Sequence, residues 1–283
     1  MNNVNWNRPT QDQPRMQPWQ LSQPAQEWHV VPSGLENLAA GFAPISLKEM
    51  DSVALLNRTD TKFVMTISQL LQALAAIQAD YRILSVGGQR LNHYRTLYFD
   101  TADFEFYNLH VNGRADRYKV RSREYTDSCL SFLEVKHKTS KGRTVKDRIR
   151  TDQPVTRMTA ESQGWLNDVL PYDSRQLLPR LWNTFTRITL VNKHSCERVT
   201  IDLDLTFYTA DKMTQLSSVV IAEVKMDSLH QNSPFLAQMR TQHIHERGFS
   251  KYCIGVSMLY EQVKKNTLKP MLLWIERMNG GSK

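Results

Sequence analysis

The stretches RYKVRSREY (117–125), SFLEVKHK (131–138) and TVKDRIR (144–150) decide how this chain is to be read. Successive side chains of a strand point to opposite faces. In the first stretch Arg117, Lys119, Arg121 and Arg123 therefore share a face, with Tyr118, Val120 and Ser122 on the other. The second sets Phe132, Glu134, Lys136 and Lys138 against Leu133, Val135 and His137. The third collects Thr144, Lys146, Arg148 and Arg150 opposite Val145 and Ile149. Ionised side chains are costly to bury dry, so these faces must meet water or a bound anion. For one hairpin, an antiparallel sheet with a single wet face is explanation enough. The pattern, however, recurs along the chain.

Upstream, Arg58, Asp60 and Lys62 alternate with Thr59, Thr61 and Phe63, and His93 and Arg95 alternate with Tyr94, Thr96 and Tyr98. Downstream, Phe185, Arg187, Thr189 and Val191 share a face; so do Cys196, Arg198, Thr200, Asp202 and Asp204; so do Val219, Ile221, Glu223 and Lys225. Helical spacing marks about 47–56, 67–79, 159–170, 174–182, 234–246, 251–264 and 268–278. Ser46 with Glu49 has capping-box spacing, and Ser233-Pro234 suits an N-cap and first helical position. The helices need apolar partners, which the apolar strand faces provide, so the charged faces must turn toward one another. The expectation is an α+β fold: a closed antiparallel β-barrel of about eight strands, helices packed outside, cations facing a lumen wide enough for one small ligand. Such a lumen repels itself when empty and suits a condensed polyanion such as a triphosphate. The few acids among its bases suggest a divalent cation, since magnesium and manganese choose carboxylate oxygens.

The bulk numbers agree. A formal net charge of +8 and a pI near 9.4 over 283 residues imply a polyanionic partner. Nucleic acid is not the expected one, because no exposed aromatics interleave the basic strand positions to stack bases. Cys129, Cys196 and Cys253 have no short spacing, which suits a reducing compartment and argues against a zinc site. No apolar run follows the first Met, and the longest ones are too short to span a bilayer. The expectation is a cytoplasmic protein, with any tie to a membrane running through a partner protein. Residues 1–44, rich in Gln, Asn and Pro, read as disordered, and 45–283 as a single domain.

In order, the chain carries Arg58-x-Asp60-x-Lys62, Tyr98-Phe99-Asp100-Thr101, Lys119-x-Arg121-x-Arg123-x-Tyr125, Glu134-x-Lys136, Lys146-x-Arg148, Arg187 with Arg198, Glu223-x-Lys225 and Ser250-Lys251. With these motifs over about 45–265 it resembles the VTC (polyphosphate polymerase) domain, a branch of the triphosphate tunnel metalloenzymes. The resemblance implies an eight-stranded tunnel in which the γ-phosphate of ATP passes to phosphate, pyrophosphate or a growing polyphosphate, with Mn2+ or Mg2+. It implies that Lys136, Arg121, Arg123, Arg187 and Arg198 act on the reacting phosphates. Arg58, Lys62, Arg95, Lys119, Lys146, Arg148, Lys225, Ser250 and Lys251 would bind phosphate, with Glu223 as the principal metal ligand and Glu134 as a second. Two departures stand out. The hydrolytic branch usually opens with Glu-x-Glu-x-Lys, whereas Arg58-x-Asp60-x-Lys62 favours a polymerase; and Gly248 stands where catalytic VTC domains usually carry a lysine.

Overall fold

The structure, a computed structural model, describes residues 32–51, 58–227 and 232–279. The elements run α1 (Leu35–Gly41), β1 (Ala43–Ile45), α2 (Leu47–Asp51), β2 (Arg58–Thr66), α3 (Ile67–Ile77), β3 (Tyr81–Leu84) and β4 (Asn92–Asp100). Then come α4 (Glu105–Val111), β5 (Arg117–Tyr125), β6 (Leu130–Lys138), β7 (Thr144–Thr151), α5 (Ala160–Val169), β8 (Leu178–Asn192) and β9 (Glu197–Tyr208). The chain ends with β10 (Met213–Leu216), β11 (Val219–Asp227), α6 (Pro234–Thr241), α7 (Lys251–Leu259) and α8 (Lys269–Met278).

Among the described residues eleven strands form one sheet, whose main path is β2-β11-β9-β8-β4-β5-β6-β7. Every pairing on that path is antiparallel. The expected eight strands are all present, with β1, β3 and β10 attached off the path. The expected closure is not. Among the described residues β2 and β7 do not pair, so the sheet curls into a tunnel-like wall that stays open along one seam.

Apolar strand faces recruit helices as the alternation requires. α3 begins with a capping box, in which Thr66 N–H donates to Gln69 Oε1 (2.9 Å) and Gln69 N–H to Thr66 Oγ1 (3.2 Å). Its Leu70, Ala73, Leu74 and Ile77 then recur on one face and are buried. With α1 and α6 they cover the outer side of β2, β11, β9 and β8 through Met65, Ala222, Ile201 and Ile188. On the other flank Leu166 of α5 packs on Val120, Leu133 and Val135 of β5 and β6.

α7 behaves differently. Its Cys253, Ile254 and Val256 pack with Val64, Phe185 and Ile221. These three lie on the same strand faces as Lys62, Arg187 and Glu223, two residues along. The helix thus plugs one end of the concave side instead of lying outside it. Gly255 permits the approach, since a Cβ there would fall 2.5 Å from Leu181 Cδ2 and 2.6 Å from Phe207 Cδ1.

Several sequence expectations need correction. The helix expected over 174–182 is a short 3-10 turn followed by β8, because Pro179 cannot sit in a helix interior. Pro179 lies instead where the β4–β8 register slips, between Tyr98 and Phe99. The segment 1–44 is not wholly without structure: α1 buries Leu35 and Ala39 against α3, and Phe42 follows them inward. Residues 1–31, with Trp6, Trp19 and Trp28, lie outside the described residues, as does the end of the helix expected over 47–56. No described helix is long and apolar enough to cross a membrane.

Candidate functional site

One cavity of about 790 Å³ occupies the concave side of the curled sheet, with lining side chains from β2, β4, β5, β6, β7, β8, β9 and β11 and from the start of α7. That volume lies within the usual range for small-molecule sites. Its wall carries eleven lysines and arginines against six carboxylates, an excess of five positive charges.

The strand registers stack these groups in cross-strand rows. Lys119 pairs with Lys136, and Lys136 with Lys146; Arg121 pairs with Glu134, and Glu134 with Arg148. Like charges directly opposite one another destabilise a sheet, so the lysine row costs stability unless an anion sits on it. Lys136 has no ion-pair partner among the described residues. Loss of bulk water within the cavity, then repulsion from Lys119, Lys146 and Lys62, brings its pKa down to about 8. Among the described residues Lys119 donates only to the hydroxyl of Ser250 (2.8 Å), and its pKa too is lowered, mainly by burial.

The facing wall is internally paired. Arg187 of β8 grips Asp202 of β9 with two bonds, Nε to Oδ1 at 2.5 Å and Nη2 to Oδ2 at 2.7 Å. Lys251, the first residue of α7, also donates to Asp202. Burial would raise the Asp202 pKa, but Arg187 and Lys251 outweigh it and hold the carboxyl well below its usual range. Lys251 itself is pushed down to about 8, by burial first. Glu223 of β11 accepts from Lys62 on one oxygen and Lys225 on the other. Those cations overcome the effect of burial and keep it ionised. Arg121 donates to Glu134 at 2.5 Å, which keeps that carboxylate low against burial as well. The guanidinium groups of Arg123 and Arg187 stack on Tyr94, 5.7 and 4.9 Å from its ring centre.

Ser250 caps α7, accepting the Cys253 N–H at 3.3 Å, so a helix N-terminus faces the cavity between Lys119 and Lys251. The helix is fixed from behind by Asp100, which accepts the Tyr252 hydroxyl at 2.5 Å and the Phe106 and Tyr107 N–H groups of α4. Asp100 of the Tyr98-Phe99-Asp100-Thr101 motif is therefore structural.

Lys62, Lys119, Arg121, Arg123, Glu134, Lys136, Lys146, Arg148, Arg187, Arg198, Glu223, Lys225, Ser250 and Lys251 all lie on the cavity wall. Arg95 does not. It points to the outer side, where it donates to Glu124 at 2.8 Å and stacks 5.3 Å from the Trp182 ring. Tyr94 and Tyr98 take the inner face of β4 because that face must pack on α7 and Phe185. Arg58 opens β2 opposite Asp227, and its side chain lies outside the described residues. Asp204 leaves the inner face through a bulge in the β8–β9 pairing, where it adopts a left-handed φ of 52° and accepts from Gln215 at 2.7 Å. Sequence reasoning turned Tyr94 away from the lumen and gave Tyr125 and Phe132 no part in the site, though all three line the wall; the aromatic at 132 inside an otherwise charged row was the available signal.

No group of three or more Asp, Glu, His or Cys among the described residues could cage a metal ion. Magnesium, however, commonly takes one or two carboxylates and completes its shell with substrate phosphates and water. Glu223 and Glu134, both on the wall of the same cavity, fit that partial donor set.

Solved structures of similar shape share little sequence with this chain. They include candidate adenylate cyclases from Bacillus halodurans (12% identity, 72% of this chain and 98% of that one, TM-score 0.46) and from Vibrio parahaemolyticus (13%, 71% and 98%, 0.41). A Hippeastrum candidate adenylyl cyclase described as having a dominant triphosphatase activity matches at 14% identity over 72% of this chain and 97% of its own, with a TM-score of 0.44. Comparison with curated proteins finds no significant match. The VTC domain profile matches residues 57–260, from the start of β2 to the end of α7. The chain with this basic, curled sheet belongs to the VTC domain family.

Proposed function

We propose that the chain is an ATP-dependent polyphosphate polymerase. The observation that carries the reading is the cross-strand row of three lysines, Lys119–Lys136–Lys146, on the wall of a cavity with excess positive charge. A terminal oxygen of the acceptor phosphate attacks the γ-phosphorus while the bond to the β–γ bridging oxygen breaks. The electron pair stays on ADP, and the chain grows by one phosphate. Such transfer needs positioning and charge neutralisation more than covalent help. Lys136 and Arg123, both without ion-pair partners among the described residues, hold the transferring phosphate. Arg121, Arg187 and Arg198 bracket it; Lys62, Lys119, Lys146, Arg148, Lys225, Lys251 and Ser250 hold the flanking phosphates. Glu223, with Glu134, would hold Mn2+ or Mg2+, which would supply further charge neutralisation along the phosphates.

A non-catalytic polyphosphate-binding domain is the second reading. Gly248 favours it: the residue is exposed with open space beside it, where the family resemblance expects a lysine. Incubation with ATP, Mn2+ and a pyrophosphate primer, followed by gel analysis, separates the cases. ADP release with long phosphate chains is expected. Free phosphate without chains would select a triphosphatase, and saturable tripolyphosphate binding without turnover a binding domain.

A further inference from the structure

At its deep end the cavity has a helix across it and a gap beside it. α7 stands where β2 ends and β5 begins, with Ser250 and Lys251 foremost. A chain of phosphates running along the strands would meet that helix. The lysine row runs the other way. Lys119, Lys136 and Lys146 are register partners on β5, β6 and β7, so the row crosses the strands, its backbone positions spanning ~10 Å. Exposure rises along it: Lys119 is half-buried, whereas Lys136 and Lys146 are exposed. It ends on β7, the one strand of the main path with no buried residue among the described residues.

The gap beyond β7 is built into the fold. Sheet edges are kept from pairing by covering them or by charging them, and both devices are present. The outer edge of β2 is covered: Phe63 bridges to Glu246, and the Arg247 N–H donates to the Lys62 carbonyl at 2.8 Å. β7, on the far bank, carries Lys146, Arg148 and Arg150. Lys62 lies near enough to repel both Lys136 and Lys119, so the β2 bank also borders the lysine row. Between the Arg247 anchor and Ser250 stands Gly248. It is exposed, and a Cβ there would meet nothing within 4 Å beyond its chain neighbours.

We infer that the seam between β2 and β7 is a lateral port: a long polyphosphate lies sideways across the lysine row and continues past β7 into solvent. The inference rests on the proposed use of polyphosphate. A closed tunnel admits a polymer only by threading one end, whereas a wall open along its length takes an internal segment. Free chain ends are therefore not needed for binding. A grown chain of any length can leave sideways, without being drawn back along the axis of the cavity.

The test is binding of the full chain to a long linear polyphosphate whose two terminal phosphates each carry a streptavidin, attached through a biotin phosphoramidate. Streptavidin is too wide for the cavity, so the capped polymer cannot be threaded. The expected result is equal affinity for capped and uncapped polymer, with tripolyphosphate displacing both. Lys136→Gln should weaken both by about tenfold, the scale of one charge-assisted hydrogen bond. Gly248→Trp should cost both long polymers affinity, because the indole narrows the port, and leave tripolyphosphate affinity unchanged. Capped polymer that fails to bind where the uncapped one binds would overturn the port while leaving the phosphate-binding wall in place. So would capped polymer that tripolyphosphate does not displace, since it would then sit on the outer surface. A Gly248→Trp variant that binds the capped polymer as wild type does would overturn it too. If neither tripolyphosphate nor uncapped polymer binds wild type, the proposed function itself falls, and this inference with it.

Discussion

Asp202→Asn removes one charge and almost no volume, yet it should disturb the protein more than any other single change on the wall. The carboxylate is 4% exposed and neutralises Arg187 through two bonds and Lys251 through another. Removing one member of a buried pair typically costs about 3–5 kcal/mol, because the other charge is left uncompensated. Arg187 and Lys251 keep 17% and 13% exposure toward the cavity, so the lower end, about 3 kcal/mol, applies. At about 2–4 °C per kcal/mol for a domain of this size, the melting midpoint should fall by about 6–12 °C. Because the Asp202 pKa is depressed in the folded state, its contribution is present above the ordinary carboxylate pKa and is lost as pH falls through the folded value. The gap between variant and wild type should therefore narrow in acid. The variant wall also has one more uncompensated cation, so tripolyphosphate should raise its melting midpoint more than that of wild type. Thermal melts at neutral and acid pH, with and without tripolyphosphate, measure all three effects. A neutral-pH shift under about 2 °C, or equal ligand stabilisation of both proteins, would refute the view that Asp202 is the counter-ion holding α7 to the wall.

Gly255→Ala gains about 1 kcal/mol of helix propensity but pushes a methyl against buried Leu181 and Phe207. Overpacking costs about 1–3 kcal/mol, so chemical denaturation should show a net loss near 1 kcal/mol, and a gain would mean that α7 is less closely seated. Lys136 and Lys251 both have pKa values lowered to about 8, so tripolyphosphate affinity should fall as pH rises through that value, and Lys136→Gln should make the profile shallower; an unchanged slope would assign the titration elsewhere. Glu223→Gln should keep the far-ultraviolet circular dichroism of wild type while Mn2+-supported turnover drops about a hundredfold, the scale of losing one site-directed electrostatic contact. Retained turnover would place the metal on other residues.

The alternation of charge and apolar side chains was enough to reveal the main strands, because a strand's two-residue period is a local property. It showed Lys119, Arg121, Arg123, Phe132, Glu134 and Lys136 as rows facing one cavity, although Arg117 and Lys138 of the same rows do not line it, and the VTC motifs followed from the same residues in order. α3 was equally legible from its helical spacing, and α6 from Ser233 as its cap, since both signals are decided within a few residues.

What only the tertiary structure decided was which face of a strand turns inward and how far each row runs. Arg95 alternates as its neighbours do, but the inner face of β4 had to pack on α7, so its charged face went outside. Asp204 shares the sequence parity of Asp202 and lost its place to a bulge that only the β8–β9 register reveals. Whether β2 meets β7 depends on curl accumulated over eight strands, and no local pattern carries it; the sheet stayed open. The plugging of one cavity end by α7 depends on Gly255 meeting Leu181 and Phe207, residues far apart in the chain. Sequence fixes what each segment wants to bury; only the assembled packing shows which partner it finds.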